Sequence, residues 1–192
     1  MAEQLALPGL ESRPEGVQVV YFALRPAPHA ACEARQRAWE LKRRHRLRGR
    51  PIPPERLHIS LVGVGDRPAG VILRAAERAA ARVSSDAFPL QLAQAAGYGG
   101  RRGSHALVLA GGEGGEFVEA LRRELCSALR AEGVRPPADR PFSPHLTLLY
   151  AQRRIAGEWI EPVSWRVDNF ALIRSHFGQG RHEILGRWSL AS

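Results

Sequence analysis

Two short stretches decide how this chain is read: Leu57-His58-Ile59-Ser60-Leu61 and Pro144-His145-Leu146-Thr147-Leu148. Both have the form histidine, apolar, hydroxyl, apolar, and both follow a proline-rich segment. The two histidines lie 145 − 58 = 87 residues apart, one in each half of the chain. Strand side chains alternate faces with a period of two. His58 and Ser60 therefore share a face, as do His145 and Thr147. Ile59 and Leu61, and Leu146 and Leu148, occupy the opposite, core-facing sides. Two such strands placed side by side would converge two imidazoles and two hydroxyls in one cleft.

Around these stretches the chain alternates in type. Val17–Leu24 reads as a buried strand ended by Pro26 and Pro28. Ala30 to about Arg48, free of proline and glycine, reads as a helix stopped by Gly49 and the prolines at 51, 53 and 54. Strands are predicted over Leu57–Gly65, Phe88–Ala96, His105–Ala110, His145–Tyr150, Val167–Ser175 and Glu183–Leu190. Further helices are predicted from Gly70 to near Val83 and from Glu116 to about Glu132. This mixed order predicts an α+β or α/β fold, with helices covering one side of each sheet. Residues 1–16 read as a polar lead-in and 17–192 as one domain.

Composition sets outer bounds. The 192 residues, 44% hydrophobic and 24% charged, exclude a disordered chain and suffice for a sizeable core. No apolar run reaches the roughly 18–20 residues of a membrane span, and no secretory signal opens the chain. Cytoplasmic location and a monomer are the expectations. Cys32 and Cys126 form no metal-ligand pattern and read as two reduced thiols, with a single disulfide as the alternative.

The net charge is +9, and all but one of the 28 basic residues is arginine. Residues 33–50 carry eight basic and two acidic groups, a net 8 − 2 = +6. That segment either grips an RNA backbone or is a solvated face with Trp39 and Leu41 turned inward. The glycine run Gly111–Gly115 lacks the lysine-hydroxyl pair of a nucleotide loop and is followed by Glu116. It reads as a turn and helix start.

The four convergent groups suit the opening of a cyclic phosphodiester. A base takes a proton from water, an acid gives one to the leaving sugar oxygen, and hydroxyls donate to the phosphoryl oxygens. Two histidines of ordinary pKa supply one neutral and one charged ring near neutral pH. No metal or cofactor is needed for this chemistry.

The paired motifs, with Pro-Pro-Glu-Arg-Leu before the first and Phe142-Ser143-Pro144 before the second, resemble those of the 2H phosphoesterases. The similarity is greatest to the RNA 2′,3′-cyclic phosphodiesterases, also called 2′-5′ RNA ligase-like proteins. It spans nearly the whole chain. It implies a bilobal α+β fold: two pseudo-symmetric lobes of antiparallel sheet, with outer helices, around a central cleft. It also implies His58 as proton donor, His145 as proton acceptor, and Ser60 and Thr147 as phosphate ligands. The implied partner is RNA or a nucleotide ending in a 2′,3′-cyclic phosphate, and the implied product a 2′-phosphate, with reverse 2′-5′ ligation as a further family activity. Alternatives are a phosphodiesterase for 2′-5′ oligonucleotides or small cyclic nucleotides, or a non-catalytic RNA-binding module.

Three departures from the family pattern bear on the substrate. Ser60 stands where threonine is commoner, Tyr150 where relatives often carry arginine, and Val62-Gly63-Val64 where an aromatic is common. Candidate substrate contacts are Arg56, Arg140, Tyr150, His176, Phe177 and His182. Phe177 is a candidate for the missing ring.

Overall fold

The computed structural model describes residues 17–99, 104–136, 142–176 and 178–192. The candidate contacts Arg140 and Phe177, and the lead-in 1–16, lie outside the described residues. The elements run β1 (Gln18–Leu24), α1 (Pro28–Arg44), β2 (Ile59–Asp66), α2 (Gly70–Ala80), β3 (Phe88–Tyr98) and β4 (His105–Ala110). They continue with α3 (Gly115–Ala131), β5 (His145–Ala151), β6 (Glu158–Val167), β7 (Asn169–His176) and β8 (Arg181–Ser189). A single 3₁₀ turn, Pro54–Arg56, leads into β2. Among the described residues no helix is long and apolar enough to cross a membrane.

The strands form two four-stranded antiparallel sheets, β2-β1-β7-β8 and β5-β4-β3-β6. Each motif strand is an edge strand, β2 in one sheet and β5 in the other, and the two edges meet. This is the two-lobe α+β architecture, with the seam between lobes lined by the motif strands. The period-two reading holds on both. Ile59 is 0% and Leu61 3% exposed, and Leu146 and Leu148 are both 0%.

One hydrophobic core joins the lobes, containing Phe22, Leu24 and Phe170 of the first sheet and Leu92, Leu107 and Leu148 of the second. Two small clusters lie on the other sheet faces. Ala23, Ala171 and Ile173 pack with Tyr21, and Ala106, Val108 and Ala110 pack with Tyr98. Small side chains on these faces keep the cleft open.

Three expectations need correction. Strand β6 was not foreseen: Pro162 interrupts its apolar pattern, yet Val163, Trp165 and Val167 are buried in strict alternation. An edge strand tolerates proline because one of its sides makes no ladder bonds, and β6 is such an edge. Helix α1 ends at Arg44, not Arg48, because the chain turns through Arg46 at a φ of +49°. Trp39 does not face the core. It is 48% exposed with the Lys42 ammonium 4.9 Å from its ring centre, while Leu41 is buried. The buried stripe of α1 is Ala30, Ala31, Ala34, Ala38 and Leu41, and Trp39 falls outside it on the 3.6-residue turn. Part of the helix's charge is consumed internally: Arg37 pairs with Glu40, and Arg44 and His45 pair with Glu158 of β6.

The glycine run behaves as a turn. Gly111 and Glu113 carbonyls accept from the Ala93 and Gln91 amides of β3. Cys32 is exposed and Cys126 buried, and both thiols are free.

Candidate active site

The two histidines are held in the same way. The Nδ1–H of His58 donates to the Arg56 carbonyl at 2.8 Å, and that of His145 to the Ser143 carbonyl at 2.8 Å. A carbonyl only accepts, so each neutral ring carries its proton on Nδ1 and presents the Nε2 lone pair. Both bonds reach back two residues into the segment before the strand. The Pro53–Pro54 turn and Pro144 fix those segments at the angle this geometry needs. The proline-rich approach to each motif is thus part of the site.

Each histidine also meets an aromatic ring from a neighbouring strand. The Tyr21 ring of β1 lies 5.2 Å from His58, and the Tyr98 ring of β3 stacks at 6.3 Å and 25° on His145. Neither tyrosine was picked out from the sequence. Tyr21 sits within an apolar strand run, and only its parity with Ala23 places it on the cleft face. The Tyr21 phenol is held well above its ordinary pKa, chiefly by burial, against a lowering hydrogen bond with Ser175.

His182, at the start of β8, completes the cluster. Its ring stands edge-on to His58 at 5.2 Å and to Tyr21 at 6.4 Å. Burial pushes His58 down to about 4, with the charges of His145, Arg56 and Arg25 adding to it and the Arg56 carbonyl opposing. His182 is likewise pushed down to about 4, by burial first and by the nearby His58 and Arg56 charges. His145 is lowered by burial, against the bond to Ser143. Near neutral pH the unoccupied cleft therefore holds uncharged imidazoles beside fixed guanidinium charge, which is a setting that favours an anion.

Arg56 supplies much of that charge. Its Nε is buried with no partner in the described structure. Its charge bears on Tyr21, His58, His182 and, from the other lobe, Tyr150. Gly180, at a φ of +62°, lets the β7–β8 turn close on it: a Cβ there would stand 2.9 Å from the Arg56 Nη1. Tyr150 pairs in register with Ala106, a member of the cleft-face cluster of the second lobe. His176 is drawn aside, 3.6 Å from the Glu183 carboxylate. Ser60 and Thr147 stand in register with Ala23 and Val108, one on each cleft face. The structure thus brings His58, His182, Arg56 and Tyr21 together in one lobe, with His145 and Tyr98 in the other.

Comparison with known proteins places this arrangement. A family model described as the 2′-5′ RNA ligase superfamily matches residues 26–179. The chain belongs to that superfamily. A curated relative from Thermus thermophilus, named RNA 2′,3′-cyclic phosphodiesterase, is 34% identical over 136 residues, covering 66% of this chain and 67% of the relative. Among solved structures, E. coli LigT complexed with 3′-AMP aligns at a TM-score of 0.70 and 28% identity, over 92% of this chain and 99% of LigT. The apo form of LigT aligns at 0.69 and 27%, over 93% and 100%. T. thermophilus TT0787 shares the fold at a TM-score of 0.65 and 23% identity, over 90% and 97%. Superfamily membership and the two-motif cleft fall together on the same residues of this chain.

Proposed function

We propose that this protein hydrolyses 2′,3′-cyclic phosphodiesters of RNA ends or nucleotides to 2′-phosphates, with His58 as acid and His145 as base. The single observation that carries the reading is the matched pair: two edge-strand histidines, each locked by Nδ1 to the carbonyl two residues back, each with a hydroxyl two residues on. Binding alone does not call for two identically oriented imidazoles. The relative named RNA 2′,3′-cyclic phosphodiesterase and the LigT complex with 3′-AMP support the same chemistry.

In the step itself His145 Nε2 takes a proton from water as the water oxygen attacks phosphorus. The bond from phosphorus to the 3′ oxygen breaks, and His58 Nε2–H protonates that oxygen. Water is consumed, one ring gains a proton and the other loses one, and exchange with solvent resets the pair. Ser60 and Thr147 donate to the non-bridging oxygens. The order of basicity fits these roles. His58, the more depressed ring, is the stronger acid once charged, and His145 is the better base. Charging His58 needs a nearby anion, and the substrate phosphate provides it by offsetting Arg56 and Arg25. Arg56 stands ready to meet the same phosphate, in place of the arginine that relatives carry at the position of Tyr150.

The test uses the purified protein in EDTA with a 2′,3′-cyclic nucleotide and with RNA bearing a cyclic end. Turnover to the 2′-phosphate is expected, falling at least a hundredfold in His58→Ala or His145→Ala. Turnover indifferent to both substitutions would remove the assignment.

A further inference from the structure

We infer that Arg25 and Arg187 form a second phosphate subsite on the cleft floor of the first lobe, which takes the phosphate on the 5′ side of the terminal nucleotide. The inference rests on the cyclic-phosphate reading of the histidine pair.

Register puts the groups on one face. Ser60 of β2 pairs with Ala23 of β1, Ala23 with Ala171 of β7, and Ala171 with Arg187 of β8. Directly paired residues share a face, so a row crosses the sheet from the Ser60 hydroxyl to the Arg187 guanidinium. Arg25 follows β1 two positions after Ala23 and carries the same parity. Three strand spacings amount to about 14 Å in a flat sheet. This sheet is not flat. His182 is on β8 and His58 beside β2, three strands apart, yet their rings are 5.2 Å apart. The sheet therefore curls over this face and brings β8 toward the motif edge.

The charges along the row are left facing one another. Arg25 Nη2 donates to the Glu55 carbonyl at 2.9 Å. Among the described residues no carboxylate forms an ion pair with Arg25 or with Arg187. The two guanidiniums feel each other: Arg25 is lowered first by burial and then by the Arg187 charge, with Glu55 opposing. Two like charges held together over an apolar floor are relieved by an anion between them. Between them and Ser60 lie Ala23, 0% exposed, and Ala171, 1% exposed. The sequence of hydroxyl, apolar strip and guanidinium pair matches cyclic phosphate, nucleoside and next phosphate along a chain.

Affinity tests the subsite without relying on turnover. Calorimetry would compare adenosine 2′-phosphate, adenosine 2′,5′-bisphosphate, and a diadenosine nucleotide with a terminal 2′-phosphate and a free 5′ hydroxyl. The bisphosphate is expected to bind roughly tenfold tighter than the monophosphate, the scale of one charge-assisted hydrogen bond. Arg187→Gln should abolish that preference and leave adenosine 2′-phosphate affinity unchanged. A gain shared by the dinucleotide assigns the subsite to an internucleotide phosphate, and a gain by the bisphosphate alone assigns it to a terminal monophosphate. Equal affinities in the natural protein, a gain by the dinucleotide alone, or a preference that survives Arg187→Gln would overturn the inference. Loss of the proposed hydrolysis with the bisphosphate preference intact would overturn the activity and leave the subsite standing.

Discussion

At the scale of the residue, the burial that orients the histidines also makes them sensitive to acid. His58 falls to about 4 in the folded chain, against about 6.5 when exposed. The folded state thus binds fewer protons than the unfolded state between those values. Stability is fully present above pH 6.5 and is lost as pH falls toward 4. His58 alone accounts for about 2 kcal/mol between pH 7 and pH 5, and His182 acts in the same direction. Thermal melts across this range should show the Tm dropping, and less steeply when adenosine 2′-phosphate is present, since the anion favours charged rings. A Tm that is flat from pH 7 to pH 5 would contradict the buried setting of these rings. The chemistry-bearing residues themselves were legible in the sequence, because the period of two is local. His58, Ser60, His145 and Thr147 needed only their immediate neighbours. The rings against them did not have that advantage. Tyr21, Tyr98 and His182 reach the histidines across strands, through pairings no local pattern reveals.

At the scale of the element, most strands and helices were readable from periodicity and punctuation. The exceptions, β6 and the end of α1, were hidden by tertiary effects: an edge position that admits Pro162, and a turn at Arg46 that cuts the helix short. The glycine run before α3 offers a test with its own control. Gly112 has a φ of +117°, and a Cβ there would lie 2.5 Å from the Gln91 carbonyl oxygen of β3. Gly115, the first residue of α3, would meet nothing within 4 Å. Gly112→Ala should destabilise the fold by roughly 2 kcal/mol or more, through a strained backbone and a forced shift of the loop from β3. Gly115→Ala should be neutral or stabilising by up to about 1 kcal/mol. Urea unfolding of both variants checks this. Equal effects would mean that the loop does not depend on its contact with β3.

At the scale of the whole molecule, the two lobes are not two domains. The chain begins in the first sheet, builds the second, and returns with β7 and β8 to finish the first. The pairing of β7 with β1 therefore joins residues near opposite ends of the described chain. A single hydrophobic core runs under both sheets. The cleft consequently depends on both lobes being folded at once, since each supplies one histidine. This predicts one cooperative unfolding transition. Leu24→Ala in the first lobe and Leu148→Ala in the second each empty a fully buried site. Each should cost about 2–5 kcal/mol. At this size that corresponds to a Tm lowered by roughly 5–15 °C. Calorimetry of the two variants should show the same single peak moved down, with calorimetric and van't Hoff enthalpies equal. Two resolved peaks, with each substitution shifting only one of them, would show that the lobes fold independently. Such independence would separate His58 from His145 whenever either lobe opened.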